Sequence, residues 1–196
     1  MLGVVLCGGQ SSRMGTDKGL LQSEQKIFAR TAFDKLKSMG LKVIVSINSS
    51  QQDMYASFFP ANAEVCDADS LSVRGPLLGI MSCHNRYPSE DLFVLACDLP
   101  LMDHGMLRQL TKRVYLFPDA AAYLFMNNGQ AEPLCAIYTA KGLAHIQSRI
   151  DDGSLAKNSM KYVLEQLVVD YTEILPEQTQ YFKNFNSPSD LHSPES

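Results

Sequence analysis

Three short apolar runs mark the first half of the chain, at residues 3–6, 42–47 and 91–97. Continuous apolar runs without polar alternation are typical of strands that are buried on both faces of a parallel sheet. Between these runs, residues 26–39 and 77–87 place apolar side chains at helical spacing, which predicts helices. The alternation of strands with helices favours an open α/β fold.

The second half of the chain is less regular. Residues 105–115 have a helical pattern, and two further apolar runs flank the turn-forming triplet Asn127-Asn128-Gly129. Because Asn-Gly between apolar runs is typical of a hairpin, we expect a central sheet that is mostly parallel and partly mixed. The remaining predicted segments are strands over residues 120–126, 134–138 and 167–171 and helices over about 141–150 and 154–166. We expect a single domain over residues 1–191, followed by a disordered tail over residues 192–196.

Charge and composition narrow the classes of function. The 196 residues carry a formal net charge of −4 with no run of basic residues longer than two, so a nucleic-acid groove is not expected. The N-terminal segment lacks the basic region of a signal peptide and has too few apolar residues to span a membrane. We therefore expect a cytoplasmic protein. The 5 cysteines are widely spaced, without the CxxC pattern of a zinc or redox site.

The loop after the first apolar run carries candidate phosphate-binding chemistry, since ligands of open α/β sheets bind at the carboxyl ends of the strands. Two adjacent glycines allow a close backbone approach to phosphates, and two cations neutralise their charge. The loop matches neither a Walker A motif nor a GxGxxG fingerprint, and a solvated turn remains the alternative. Its candidate binding residues are Leu6, Cys7, Gly8, Gly9, Arg13 and Lys18.

Residues 6–18 resemble the signature LxGGxSxRMGxDK of the molybdenum cofactor guanylyltransferases and match it at every fixed position. Three later segments resemble motifs of the same family in the same order. They are GPLLGI from Gly75, ACDLP around Asp98, and NFNSPSDL, which contains Asn184 and Asn186. The resemblance extends over residues 2–191.

This resemblance implies a Rossmann-like three-layer sandwich that transfers GMP from GTP to the phosphate of molybdopterin, or of Mo-molybdopterin, and releases pyrophosphate. It also implies Mg²⁺ as cofactor and transient contacts with molybdopterin-supplying proteins and molybdoenzyme chaperones. Three alternatives remain open: a molybdopterin cytidylyltransferase, another nucleotidyltransferase of the same fold, and a non-catalytic GTP-binding adaptor.

Asp98 is the candidate metal ligand. It ends an apolar strand, where a carboxylate has no packing role, and Mg²⁺ typically takes only one or two protein carboxylates. The metal-binding aspartate of the family falls on this residue, although Asp98 could instead cap a turn. We expect Lys18, Arg13 and Asp98 to be catalytic, with Lys18 and Asp98 also binding nucleotide.

The base and the acceptor have weaker candidates. A carboxylate can accept hydrogen bonds from both N1–H and the exocyclic amine of guanine. Asp67 is favoured for this role over Asp69 because it directly follows a strand-like run. Gly75 and Asn48 are further nucleotide-binding candidates, although Asn48 could serve only as a turn residue. Glu132 has no assigned role, but its place before the run at residues 134–138 could direct it towards the pterin.

Overall fold

A computed structural model describes residues 1–8, 17–23, 26–60 and 62–185 of the chain. Most strands form one sheet, and a short pair lies beside it. The strands are β1 Leu2–Leu6, β2 Gln22–Ser23, β3 Lys26–Ile27, β4 Lys42–Ile47, β5 Glu64–Cys66, β6 Leu92–Ala96, β7 Ala122–Asn127, β8 Gln130–Tyr138 and β9 Val169–Glu173.

The helices lie between the strands. The α-helices are α1 Phe28–Ser38, α2 Gln52–Tyr55, α3 Pro76–Arg86, α4 His104–Leu116, α5 Ala140–Asp151 and α6 Met160–Leu164. Short 3-10 helices are formed by Lys18–Leu20, Ser49–Gln51 and Pro176–Phe182. In the described part of the chain, no helix is long and apolar enough to cross a membrane.

The main sheet has the strand order β5-β4-β1-β6-β8-β7-β9. Strands β5, β4, β1 and β6 run parallel, while β8 runs antiparallel to both of its neighbours. The expectation of a mostly parallel, partly mixed sheet is therefore confirmed. Because parallel strands end at the same edge, the loops that follow β1, β4, β5 and β6 converge.

Helices cover both faces of this sheet. On one face, Leu36 of α1 and Leu110 of α4 belong to the same buried cluster as Val45. On the other face, Ile80 of α3 and Ile146 of α5 are buried with other sheet residues. Both β1 and β6 are buried along their whole length, as continuous apolar runs require. This arrangement confirms the three-layer sandwich.

Two predicted helices have different bounds in the structure. The first predicted helix begins at Phe28 and not at residue 26, because Lys26 and Ile27 pair antiparallel with Gln22 and Ser23. The helix predicted over residues 154–166 is confined to α6, where Ser159 accepts a hydrogen bond from the Tyr162 N–H and caps its start.

The hairpin strand β8 is longer than the predicted run at residues 134–138. Pairing with β7 extends it back to Gln130, because the turn at Asn128 and Gly129, both at positive φ, brings the two strands together. The predicted last strand is displaced by two residues and forms β9. All five cysteines are free thiols, four of them buried.

Candidate active site

The end of β1 is fixed between β4 and β6, where Leu6 pairs with Ser46 on one side and with Ala96 on the other. The N–H groups of Cys7 and Gly8 both donate to the Ser46 carbonyl oxygen, at 2.9 and 3.1 Å. These two amides are therefore already hydrogen-bonded within the sheet. Gly9 and Arg13, which the sequence singled out, lie outside the described residues.

Lys18 and Asp98 meet at the carboxyl edge of the sheet. The Lys18 Nζ lies 3.6 Å from Asp98 Oδ2, with the two side chains 36% and 20% exposed. Burial raises the pKa of Asp98, and the nearby Lys18 cation partly opposes that rise. Lys18, which follows the loop after β1, thus lies beside Asp98, which follows β6 and whose carboxyl has a raised pKa.

A C-terminal segment is attached to the Asp98 loop. The Phe185 N–H donates to the Asp98 carbonyl oxygen at 3.0 Å. The Phe185 ring is buried edge-on against Phe28, with centroids 6.2 Å apart, and Leu21 completes the cluster. The neighbouring Asn184 is exposed. Asn186 lies outside the described residues.

Asp67 follows β5, and its N–H continues the strand ladder by donating to the Ile47 carbonyl oxygen at 2.9 Å. A Cβ atom on Gly8 would lie 3.6 Å from Asp67 Oδ2, and one on Gly79 would lie 3.6 Å from Oδ1. Oδ1 is buried without a hydrogen-bond partner among the described residues, and burial raises the pKa of this carboxyl. Asp69, by contrast, is exposed. The Asp67 carboxylate thus retains acceptor capacity beside two positions that lack side chains.

Gly75 precedes α3 with φ of +68°, a conformation that side-chain-bearing residues rarely adopt. No described atom lies within 4 Å of the position that a Cβ there would occupy. Pro76 takes the first turn of the helix, where its missing N–H costs no hydrogen bond. The chain therefore turns at Gly75, between the segment that contains Asp67 and the start of α3.

Asn48 caps the 3-10 helix that follows β4. Its Oδ1 accepts hydrogen bonds from the Ser50 N–H at 3.0 Å and from the Ser50 hydroxyl at 2.6 Å. The turn role considered for Asn48 is thus present in the structure. Any contact with a nucleotide would fall to its side-chain amide nitrogen.

Sequence reasoning assigned no role to three residues beneath this edge. Asp17 Oδ1 accepts from the Tyr55 hydroxyl at 2.9 Å, and Asp17 Oδ2 accepts from Gln51 Nε2 at 2.5 Å. Gln51 is 5% exposed and Tyr55 is fully buried. A polar residue that is predicted to be buried would point to such a network, because buried polar groups need hydrogen-bond partners. The sequence around Gln51 has no clear hydrophobic periodicity, so its burial could not be predicted.

On the other side of Asp98, the β7–β8 hairpin carries Glu132. The antiparallel pairing of β6 with β8 ends at Leu95 and Cys135, so Glu132 precedes the paired segment of β8, at the edge where β6 ends. Asn127 Nδ2 donates to Glu132 Oε1 at 3.1 Å. Burial raises the pKa of Glu132, and the Asn127 hydrogen bond opposes the rise.

Within the described residues, no group of three or more His, Cys, Asp or Glu side chains is placed to hold a metal ion. The half-buried Asp98 carboxylate beside Lys18 fits a different mode, in which a hard cation takes a single protein carboxylate and completes its shell with water and substrate oxygens.

The chain matches the family described as MobA-like NTP transferase domain over residues 3–169. It is 28% identical to a probable molybdenum cofactor guanylyltransferase of Geobacillus sp. (strain WCH70), covering 97% of this chain and 96% of that protein. It is 27% identical to a probable molybdenum cofactor guanylyltransferase of Flavobacterium johnsoniae, covering 96% and 93%. The solved molybdopterin-guanine dinucleotide biosynthesis protein A of Archaeoglobus fulgidus has the same fold, with a TM-score of 0.75 and 21% identity over 98% of this chain and 95% of that chain.

Proposed function

Since the chain belongs to the family of MobA-like NTP transferase domains, and so is a nucleotidyltransferase, we propose that it transfers GMP from GTP to the terminal phosphate of molybdopterin or Mo-molybdopterin. The observation that carries the proposal is the Lys18–Asp98 pair at the carboxyl edge of the parallel strands. Relatives named as molybdenum cofactor guanylyltransferases at 27–28% identity support the choice of substrates.

Asp67 is the proposed reader of the base. Guanine presents N1–H and an exocyclic amine side by side, and a carboxylate accepts both. The unpartnered, buried Oδ1 supports this role, as does the absence of a side chain at Gly8, where a Cβ would lie 3.6 Å from Oδ2. Adenine lacks that donor pair, so binding it would leave a buried carboxylate without partners, and this is the source of strong discrimination.

In the proposed reaction, a phosphate oxygen of the pterin substrate attacks the α-phosphorus of GTP. A phosphorus–oxygen bond forms to the acceptor as the bond to pyrophosphate breaks, and pyrophosphate leaves as an anion. The acceptor phosphate is already anionic, so the protein need not supply a nucleophile. Lys18, together with Arg13 of the same loop, stabilises the charge that develops on the phosphates.

Mg²⁺ is the proposed cofactor, and Asp98 is the residue that would hold it. Bound there, the ion would neutralise phosphate charge and align the reacting groups. The Lys18 Nζ lies 3.6 Å from Asp98 Oδ2, so a cation already adjoins the carboxylate that would hold the ion.

The acceptor is proposed to bind between Asp98 and the β7–β8 hairpin. The pterin ring has the same pair of donors as guanine, a ring N–H next to an exocyclic amine, and therefore suits a carboxylate. Glu132 precedes the segment of β8 that pairs with β6, at the edge where β6 ends, and Asn127 donates to one of its two oxygens. Glu132 is thus the proposed pterin contact, and Asn127 orients it.

The test is turnover of the purified protein with molybdopterin, Mg²⁺ and each of GTP, CTP and ATP, measured as dinucleotide and pyrophosphate. Product from GTP alone is expected. Product from CTP alone would agree with the proposed phosphate chemistry but would contradict the assignment of Asp67 as a reader of guanine. GTP binding without pyrophosphate release, in the presence of a competent acceptor, would overturn catalysis in favour of a binding role.

A further inference from the structure

Gln51 lies where three segments of the candidate nucleotide site meet. Its Nε2 donates to the Cys7 carbonyl oxygen at 3.2 Å and to Asp17 Oδ2 at 2.5 Å. Its Oε1 accepts from the Asn48 N–H at 2.8 Å. A side-chain amide has two N–H donors and one oxygen, so every polar atom of Gln51 has a partner. With 5% exposure, these bonds are shielded from competing water.

The Asp17 carboxylate accepts three hydrogen bonds. Besides Gln51, the Gly19 N–H donates to its Oδ1 at 2.9 Å, and the Tyr55 hydroxyl donates to the same oxygen at 2.9 Å. Burial raises the pKa of Tyr55 far above its usual range, and the nearby Cys7, Cys97 and Asp17 groups add to that rise. The phenol therefore keeps its proton and remains a donor to Asp17.

The two backbone positions held by this network are the two ends of the first loop. Cys7 is the last residue before it, Asp17 closes it, and Lys18 follows directly with its Nζ facing Asp98. We propose that Gln51, supported by Tyr55, is a positioning residue that holds the two ends of this loop together and thereby places Lys18 against Asp98. Fixing Asp17 in advance lowers the entropy lost when the adjacent Lys18 is ordered against Asp98.

Gly19 offers an independent way to disturb the same network. A Cβ at this position would lie 2.0 Å from the Tyr55 hydroxyl oxygen, far inside contact distance. Gly19→Ala must therefore displace the phenol from Asp17, although it removes no polar group. The inference about Lys18 rests on the proposed function, whereas the joining of the loop ends can be measured without it.

The variants to compare are Gln51→Leu, Tyr55→Phe and Gly19→Ala. Matched controls are Gln52→Leu, an exposed neighbour in sequence, and Tyr115→Phe, whose residue is 86% exposed. We expect Gln51→Leu to speed backbone hydrogen exchange over residues 17–21 and to lower kcat/KM for GTP about tenfold or more, with a smaller change in KM for the acceptor. Both controls should match wild type.

A rescue experiment separates positioning from general stability. Gln51→Glu places a carboxylate against Asp17, and adding Asp17→Asn restores a donor–acceptor pair, so the double variant should regain part of the kcat/KM for GTP that the single variant loses.

Unchanged hydrogen exchange at residues 17–21 in Gln51→Leu would contradict the proposal that Gln51 holds the two ends of the loop together, which is the tether. Equal losses towards GTP and acceptor, in proportion to a lowered melting temperature, would overturn the positioning of Lys18. A wild-type protein that makes no product from any nucleotide would overturn the proposed function, while faster exchange in Gln51→Leu would still support the tether.

Discussion

Lys18 Nζ lies 3.6 Å from Asp98 Oδ2, which joins the start of the first 3-10 helix to the carboxyl end of β6. Both side chains are partly exposed, and pairs of this kind contribute little to stability. Burial nevertheless raises the pKa of Asp98. Desolvation of the Asp98 carboxylate costs free energy, and the pair adds little to the stability of the fold. We therefore interpret the pair as part of the proposed phosphate and metal site.

Replacing either member of this pair should abolish most turnover. We expect Lys18→Ala and Asp98→Ala each to lower kcat by about 10²–10³ or more, since Lys18 would stabilise transition-state charge and Asp98 would hold the metal ion that does so. Steady-state kinetics with GTP and molybdopterin provide the measurement. Lys37→Ala and Asp53→Ala, both at exposed positions, serve as controls. Near wild-type turnover in either active-site variant would contradict the assigned roles.

The pH dependence of turnover should report on Asp98. Because burial raises its pKa, the carboxylate takes up a proton at a higher pH than an exposed aspartate, and kcat/KM should fall on the acid side from that point. Lys18 lowers this pKa, so removing the cation with Lys18→Met should move the acid limb to higher pH. Profiles of the wild type and of the residual activity of the variant test this. An acid limb that shifts to lower pH would contradict it.

Asp67→Asn should weaken the choice of base. Asparagine keeps one acceptor but presents an N–H₂ group to the exocyclic amine of guanine, so we expect the preference for GTP over ATP to fall by about 10² or more. Competition between the two nucleotides in kcat/KM is the measurement. The exposed Asp69 provides the control through Asp69→Asn. Loss of selectivity in Asp69→Asn with none in Asp67→Asn would reverse the assignment.

Phe185→Ala should loosen the segment that is bonded to the Asp98 loop. The ring is 6% exposed and packs against Phe28 and Leu21. Loss of such a buried ring costs about 2–4 kcal/mol, and we expect the melting temperature to fall by roughly 10 °C together with turnover. Phe58→Ala, at a position 38% exposed, is the control for thermal unfolding. An unchanged melting temperature would show that this contact does not anchor the segment.

Glu132→Gln should affect the acceptor and spare the nucleotide. The amide removes the charge and one acceptor site facing the pterin, so we expect KM for molybdopterin to rise about tenfold while KM for GTP stays within twofold. Kinetics with each substrate varied in turn distinguish the two effects. Glu165→Gln, exposed at the end of α6, is the control. A rise in KM for GTP alone would place Glu132 on the nucleotide side.

The sequence determined much of the fold because its parallel strands are buried on both faces and therefore appear as continuous apolar runs, as in β1, β4 and β6. It also predicted candidate site residues, since polar residues that directly follow such runs, Asp98 above all, lie at the carboxyl edge of the sheet, where open sheets generally bind ligands. Asn-Gly at the hairpin predicted the change to antiparallel pairing. These signals are local and need no partner segment.

Tertiary structure decided which polar groups meet. Gln51 and Asp17 are 34 residues apart in the chain, and Tyr55 and Asp17 are 38 apart, so their hydrogen bonds depend on sheet order and on how α2 and the 3-10 helix before it pack against Asp17. The antiparallel pairing of β8 with β6 brings Glu132 to the edge of the sheet where β6 ends. Tertiary structure also turns Asp67 towards Gly8 and leaves Asp69 exposed. Contacts of this kind follow from long-range packing, for which the order of residues along one segment carries no local signal.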